Sequence, residues 1–171
     1  MSMPAEDVMR NLSKLFLALI LCVGIFTSCA SENDKYQGYA SLKAECSTVF
    51  DNMDLLKEEK KEIIPDDGVI FYTDKAGFKE GETVFDLFKR QMQEEKLQYE
   101  FKEMPGTDIV YIDAIGNLYS FDCGEQSGWL FKINGEFPLE ACNQIKVNEG
   151  DEIEFLYTCD WGIDIGAYTP E

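Results

Sequence analysis

Apolar and polar residues alternate most sharply from Gly128 to Ile133. Trp129, Phe131 and Ile133 fall on one side of an extended chain, and Leu130 and Lys132 on the other. Asn134-Gly135 follows, and both residues tolerate positive φ, so a type I′ hairpin with a second strand opening at Glu136 is expected. Glu152–Thr158 alternates too, with Ile153, Phe155 and Tyr157 on one face. So does Asp108–Ala114, where Val110, Ile112 and Ala114 oppose Ile109, Tyr111 and Asp113. Earlier in the chain, Ser41–Phe50 predicts a first strand running into a loop, and the charged Asp51–Lys61 is helix-compatible. Pro65-Asp66-Asp67-Gly68 is a turn before the apolar run Val69–Thr73, and Asp74–Gly77 is expected to turn the chain again.

The pattern switches to a helical period once. Thr83 can cap a helix, with Asp86 three residues later completing a box-like pair. Val84, Leu87, Phe88 and Met92 then recur at i, i+3, i+4 and i+8, which buries one face. An early strand pair, one helix and several later strands predict an α+β domain, β-grasp-like, with one main helix packed on a mixed four- to five-stranded sheet.

Composition narrows the function. Thirty-three acidic residues against fifteen basic ones give a net charge of −18, a surface that repels phosphate backbones and argues against nucleic-acid binding. The chain has no histidine, so Ser-His-Asp and Cys-His chemistry and any His-containing zinc site are ruled out. No catalytic residue set and no metal site is expected. Asp160-Trp161-Gly162-Ile163-Asp164 lacks the spacing of an EF-hand loop.

Arg10 and Lys14 precede the apolar run Leu15–Phe26, and small residues follow at Thr27-Ser28-Cys29. That order describes a secretory signal, and a run this short is not an ordinary transmembrane helix. Phe26-Thr27-Ser28-Cys29 resembles a bacterial lipobox, which makes Cys29 the expected lipidated residue. Residues 1–28 are therefore read as a lipoprotein signal peptide, 29–40 as a tether, 41–166 as the folded domain and 167–171 as a tail. The expected location is extracytoplasmic, lipid-anchored to the bacterial cell membrane through Cys29. In that oxidising setting Cys46, Cys123, Cys142 and Cys159 are expected to form two disulfides. Four cysteines allow three pairings and the sequence does not choose among them. The working expectation is Cys123–Cys142 at the hairpin base, with Cys46–Cys159 tying the first strand to the last.

Three groups of residues carry a family resemblance. Gly81-Glu82-Thr83-Val84-Phe85-Asp86-Leu87 opens the helix. Ser127-Gly128-Trp129 leads to Asn134-Gly135, and Glu149-Gly150-Asp151-Glu152-Ile153 precedes Tyr157-Thr158. In this order the chain resembles the small C-terminal domain of transcobalamin and intrinsic factor, which many bacterial lipoproteins carry in a similar stand-alone form. The resemblance covers about Ser41 to Gly166. It implies a β-grasp-like fold, a soluble-ligand-binding role and a cobalamin-type ligand as candidate cofactor. In the animal carriers the domain closes over cobalamin against a large helical barrel, and this chain is too short to hold that barrel as well.

Two readings of function follow. In the first, the chain is a non-enzymatic surface lipoprotein that binds a small soluble ligand. Trp129 and Tyr119 would stack on that ligand, and Asn134 and Gly135 at the turn would supply hydrogen bonds. In the alternative, it is a cell-surface protein-interaction or adhesion module. Against the first reading stands a plainer one, in which Trp129 packs in the core beside Phe131 and Phe155 and turn geometry alone explains Asn134-Gly135.

Overall fold

The computed structural model describes residues 35–169. The signal segment 1–28 and Cys29 lie outside the described residues. Among these residues, seven strands and one α-helix make up the α+β domain: β1 (Gly38–Glu45), β2 (Val69–Phe78), α1 (Val84–Glu94), β3 (Tyr99–Glu103), β4 (Val110–Ile115), β5 (Leu118–Tyr119), β6 (Gly128–Ile133) and β7 (Glu152–Thr158). Among the described residues no helix is long and apolar enough to cross a membrane.

β2, β1, β7 and β6 form a mixed sheet in that order. Its central pair, β1 and β7, is parallel, and the flanking pairs are antiparallel. Strand β1 alternates strictly, turning Ala40, Leu42 and Ala44 into the core. It begins at Gly38, so the last residues of the segment read as tether are already strand.

Strand β2 corrects the expected turn at Asp74–Gly77. The chain stays extended to Phe78, and a register shift opposite Ser41 absorbs the polar Asp74 and Lys75 before pairing resumes at Ala40↔Ala76. Ala76 and Phe78 are buried, which returns more to the strand than a turn there would. Gly77 is required by packing, since a Cβ there would lie 2.4 Å from the Tyr36 ring. The helix-compatible Asp51–Lys61 forms no α-helix; it takes in the end of one short 3₁₀ turn, Ser47–Asn52, and most of a second, Glu58–Ile63.

Helix α1 starts as its sequence predicts. The Asp86 amide donates to the Thr83 hydroxyl (3.1 Å) and the Thr83 amide to the Asp86 carboxylate (3.2 Å), a reciprocal capping box. The next amides find partners outside the helix: Val84 donates to the Ile145 carbonyl and Phe85 to that of Cys142. Val84, Phe85, Leu87, Phe88 and Met92 are buried. Thr83→Ala is expected to lower stability by about 1 kcal/mol in a urea titration, with Thr83→Ser retaining most of it. An unchanged midpoint would mean that the 142–147 segment alone holds the helix start.

A second sheet, β3-β4-β5, is antiparallel throughout. Its β4–β5 connection is a two-residue turn at Gly116 (φ 60°) and Asn117 (φ 66°), the backbone of a type I′ hairpin. Asn134 (φ 53°) and Gly135 (φ 83°) form the same kind of turn, but the expected second strand is absent. Ile133 and Glu136 exchange one pair of hydrogen bonds and the chain then departs through Pro138, which has no amide to donate. The partner of β6 is β7, with Trp129 opposite Tyr157, Phe131 opposite Phe155 and Ile133 opposite Ile153.

The expected disulfides are also corrected: Cys46, Cys123, Cys142 and Cys159 are buried free thiols. Cys142 lies against the Val110 carbonyl (3.7 Å) beside the start of α1, while Cys123 lies against Asn52 (3.4 Å) on the first 3₁₀ turn. Cys46 and Cys159 do sit at the ends of neighbouring strands. The register Glu45↔Leu156, however, brings Cys46 level with Tyr157, two residues short of Cys159. The Cys46 thiol points instead to the Gly68 carbonyl (3.4 Å).

Candidate functional site

An apolar groove of about 390 Å³ runs between β4 and β6. Tyr111 and Ile112 line it from β4, Trp129 and Phe131 from β6, and Phe137 and Leu139 from the loop after the Asn134-Gly135 turn. Among the described residues Glu140 is the only charged one that lines it, on a chain whose net charge is −18. Ala167 and Tyr168 close one side, so part of the segment read as a tail belongs to the wall. They are brought there by a turn in which the Ala167 amide donates to Gly162 (2.8 Å). Gly162 has φ 88°, and a Cβ on it would lie within 3.0 Å of Leu130, Ala167 and Tyr168. The groove thus has the size and lining of a site for a small apolar group.

The four residues expected to contact a ligand do not act together. Trp129 is in the groove floor, yet it is only 6% exposed, with its indole N–H donating to the Leu118 carbonyl (2.9 Å) and its ring edge-on to Tyr157 at 5.1 Å. It is a core residue with one side turned to the groove. Tyr119 is elsewhere. Its hydroxyl donates to Glu100 (2.6 Å), which raises the phenol's pKa, and the Lys60 ammonium lies 4.8 Å above its ring. Asn134 and Gly135 also lie outside the groove lining. The Asn134 side chain donates to Asp151 (2.9 Å) and accepts from the Glu152 amide (2.9 Å), fastening the β6 turn to the Asn148–Asp151 turn before β7.

The sequence reading missed the residues that give the groove its exposed contact area. Tyr111 is 43% exposed on β4 and Leu139 is fully exposed beyond Pro138. The available signal was Phe137-Pro138-Leu139, an apolar triplet that follows the turn without continuing the alternation. Asp160 and Asp164 gather no wider acidic cluster, and among the described residues no group of carboxylates and thiols is placed to hold a metal ion. The Asp164 carboxylate instead accepts from the Thr158 hydroxyl and the Cys159 amide.

No curated protein matches the chain. Among solved structures it is similar to haptocorrin in complex with Cbi (cobinamide), with 13% identity and a TM-score of 0.48 over 71% of this chain. The match spans 25% of the haptocorrin chain. It is also similar to a proposed metal-binding protein from Ruminococcus gnavus, with 15% identity and a TM-score of 0.42, covering 71% of this chain and 97% of that one. Residues 81–158 match the family model described as a domain of unknown function (DUF4430), a segment that contains all three parts of the transcobalamin-like series, at Gly81–Leu87, Ser127–Gly135 and Glu149–Thr158.

Proposed function

We propose that this chain is a non-enzymatic, extracytoplasmic binding module, anchored to the cell membrane by lipid on Cys29, that takes a small apolar or planar ligand into the β4–β6 groove. The observation that carries the reading is the contrast between a groove lined almost wholly by apolar and aromatic side chains and a chain of charge −18. The sequence resemblance to transcobalamin and intrinsic factor makes cobinamide the first ligand to test. A groove of about 390 Å³ receives one edge of such a molecule and leaves the rest outside.

Isothermal titration with cobinamide, and separately with an anilinonaphthalene sulfonate dye, tests this. Saturable binding is expected, weakened about tenfold by Tyr111→Ala, the equivalent of ~1.4 kcal/mol, and unchanged by Asn134→Ala. No saturable heat with either probe would remove the groove reading. So would a loss of binding in Asn134→Ala that Tyr111→Ala does not share.

The adhesion alternative is favoured by a separate feature. Phe121 (56% exposed) and Trp161 (59%) flank Gln126 and Ser127, with amides that donate to the Ser127 and Gln126 carbonyls respectively. Under that reading Trp161→Ala weakens capture of a surface protein and Tyr111→Ala does not.

A further inference from the structure

Among the described residues, three of the four free thiols gather at one end of the mixed sheet, around the 3₁₀ turn Ser47–Asn52. Cys123 lies against the Asn52 carbonyl (3.4 Å) and Cys159 against the Thr48 hydroxyl (3.8 Å). Thr48 and Asn52 are themselves joined, the Asn52 amide group donating to the Thr48 carbonyl (2.9 Å), so both thiols face one rigid turn. Each thiol also enters the electrostatic surroundings of the other. Cys46 stands nearby but its thiol is turned to Gly68, and Cys142 is on the far side at Val110.

We propose that Cys123 and Cys159 are an oxidisable dithiol that closes into a disulfide, leaving Cys46 and Cys142 as thiols. The oxidant is a small-molecule disulfide of the glutathione class. One protein thiolate attacks a sulfur of that disulfide and displaces one small thiolate. The second protein thiolate then attacks the mixed disulfide, forming the Cys123–Cys159 bond and releasing the second small thiolate. The protein dithiol is oxidised, the small disulfide is reduced to two thiols, and the two protein protons end on them. Burial pushes both protein thiols above the ordinary value, so exchange in the folded state is slow and oxidation is fastest during folding.

The bond would fasten the loop carrying Asp122 and Ser127 to the end of β7. Tyr157 already reaches into that loop, its hydroxyl 2.7 Å from the Tyr119 carbonyl and 2.9 Å from the Ser127 hydroxyl. A cross-link there restrains a chain segment that includes both the groove-lining β6 and the β6–β7 connection.

The sequence makes the test simple, because Cys46, Cys123, Cys142 and Cys159 fall in four tryptic peptides separated by Lys57, Lys102, Lys132 and Lys146, while Cys22 and Cys29 share a fifth that ends at Lys35. The full chain is refolded with oxidised glutathione, alkylated in denaturant and mapped without reduction. The expected product is a single linked pair holding Cys123 and Cys159, with Cys46 and Cys142 alkylated. Its Tm should exceed that of the reduced chain by roughly 10 °C. Cys142→Ser should keep that difference and Cys159→Ser should abolish it. Alkylation of both Cys123 and Cys159 after oxidation overturns the proposal, as does a link from Cys123 to Cys46 or Cys142. The map of the unmutated chain decides the pairing even if Cys159→Ser fails to fold.

Discussion

Phe88→Ala is expected to cost about 3–5 kcal/mol of folding stability, the range for deleting a fully buried aromatic ring. Phe88 projects from the buried face of α1 and is 0% exposed. Its ring lies 4.5 Å from that of Phe155 on β7 and 5.7 Å from that of Tyr99 on β3, so one side chain joins the helix to both sheets. Neither neighbour can collapse into the space it leaves. Phe155 is held by the β6–β7 ladder and Tyr99 by pairing with Ile115. Domains of this size have only about 5–15 kcal/mol in hand, so the variant should show a visibly reduced urea midpoint and a broadened thermal transition. Phe88→Leu, which keeps most of the volume, should lose far less. A cost below about 1 kcal/mol for the alanine variant would mean that the two sheets do not share a core through this ring.

The elements legible in the sequence were those whose local signal and tertiary role agree. The α1 start is the clearest case. Thr83 and Asp86 make the box that their spacing predicts, and Val84, Leu87, Phe88 and Met92 are all buried. Strand β7 behaves the same way, with Ile153, Phe155 and Tyr157 inward. Strand β3 was missed although Tyr99 and Phe101 alternate with Glu100 and Lys102, because a five-residue run that follows a helix directly has too little length to separate from a frayed end. What anchors the strand is contact with α1, Phe88 against the half-buried Tyr99 and Phe85 against the exposed Phe101 at 4.9 Å, which no local window contains.

The turn at Asn134-Gly135 is instructive in another way. Its residues correctly announced positive φ, but a turn type fixes backbone direction for only two residues. Whether a strand follows depends on what else competes for the edge, and here β7 takes β6 from a distance of some twenty residues. The same non-local choice hid the groove. Tyr111 and Leu139 meet only because β4 and the Pro138 loop converge in space, whereas Tyr119 and Asn134, chosen for their neighbourhood in the chain, were drawn into bonds with Glu100 and Asp151.

Asp122 is where the acid sensitivity of this fold should be read. The residue is 3% exposed, and its carboxylate accepts from Lys57 (2.8 Å), Lys60 (3.1 Å) and the Tyr119 amide (2.8 Å). Burial by itself pushes the carboxyl pKa up. The Lys57 hydrogen bond, the Tyr119 amide and Lys60 outweigh it and hold the group below its usual range. An unfolded Asp titrates near 3.9, so through the window below about pH 4 the unfolded chain binds the proton more readily than the folded one. The stabilisation is therefore complete above that value and is lost as pH falls through the folded-state pKa. Asp122→Asn keeps the shape but removes the charge, and at pH 7 it should cost about 2–3 kcal/mol, because the lysines and the amide lose their anionic partner. At pH 3 the same substitution should cost much less. Glu82 and Asp86 are also held low, so both proteins weaken in acid, and the difference between the two urea-midpoint curves isolates Asp122. Parallel curves from pH 7 to pH 3 would show that the Lys57–Asp122–Lys60 cluster is not what acid undoes. Converging curves would tie acid lability to the segment that follows β5, the strand whose Leu118 carbonyl holds the Trp129 indole at the floor of the groove.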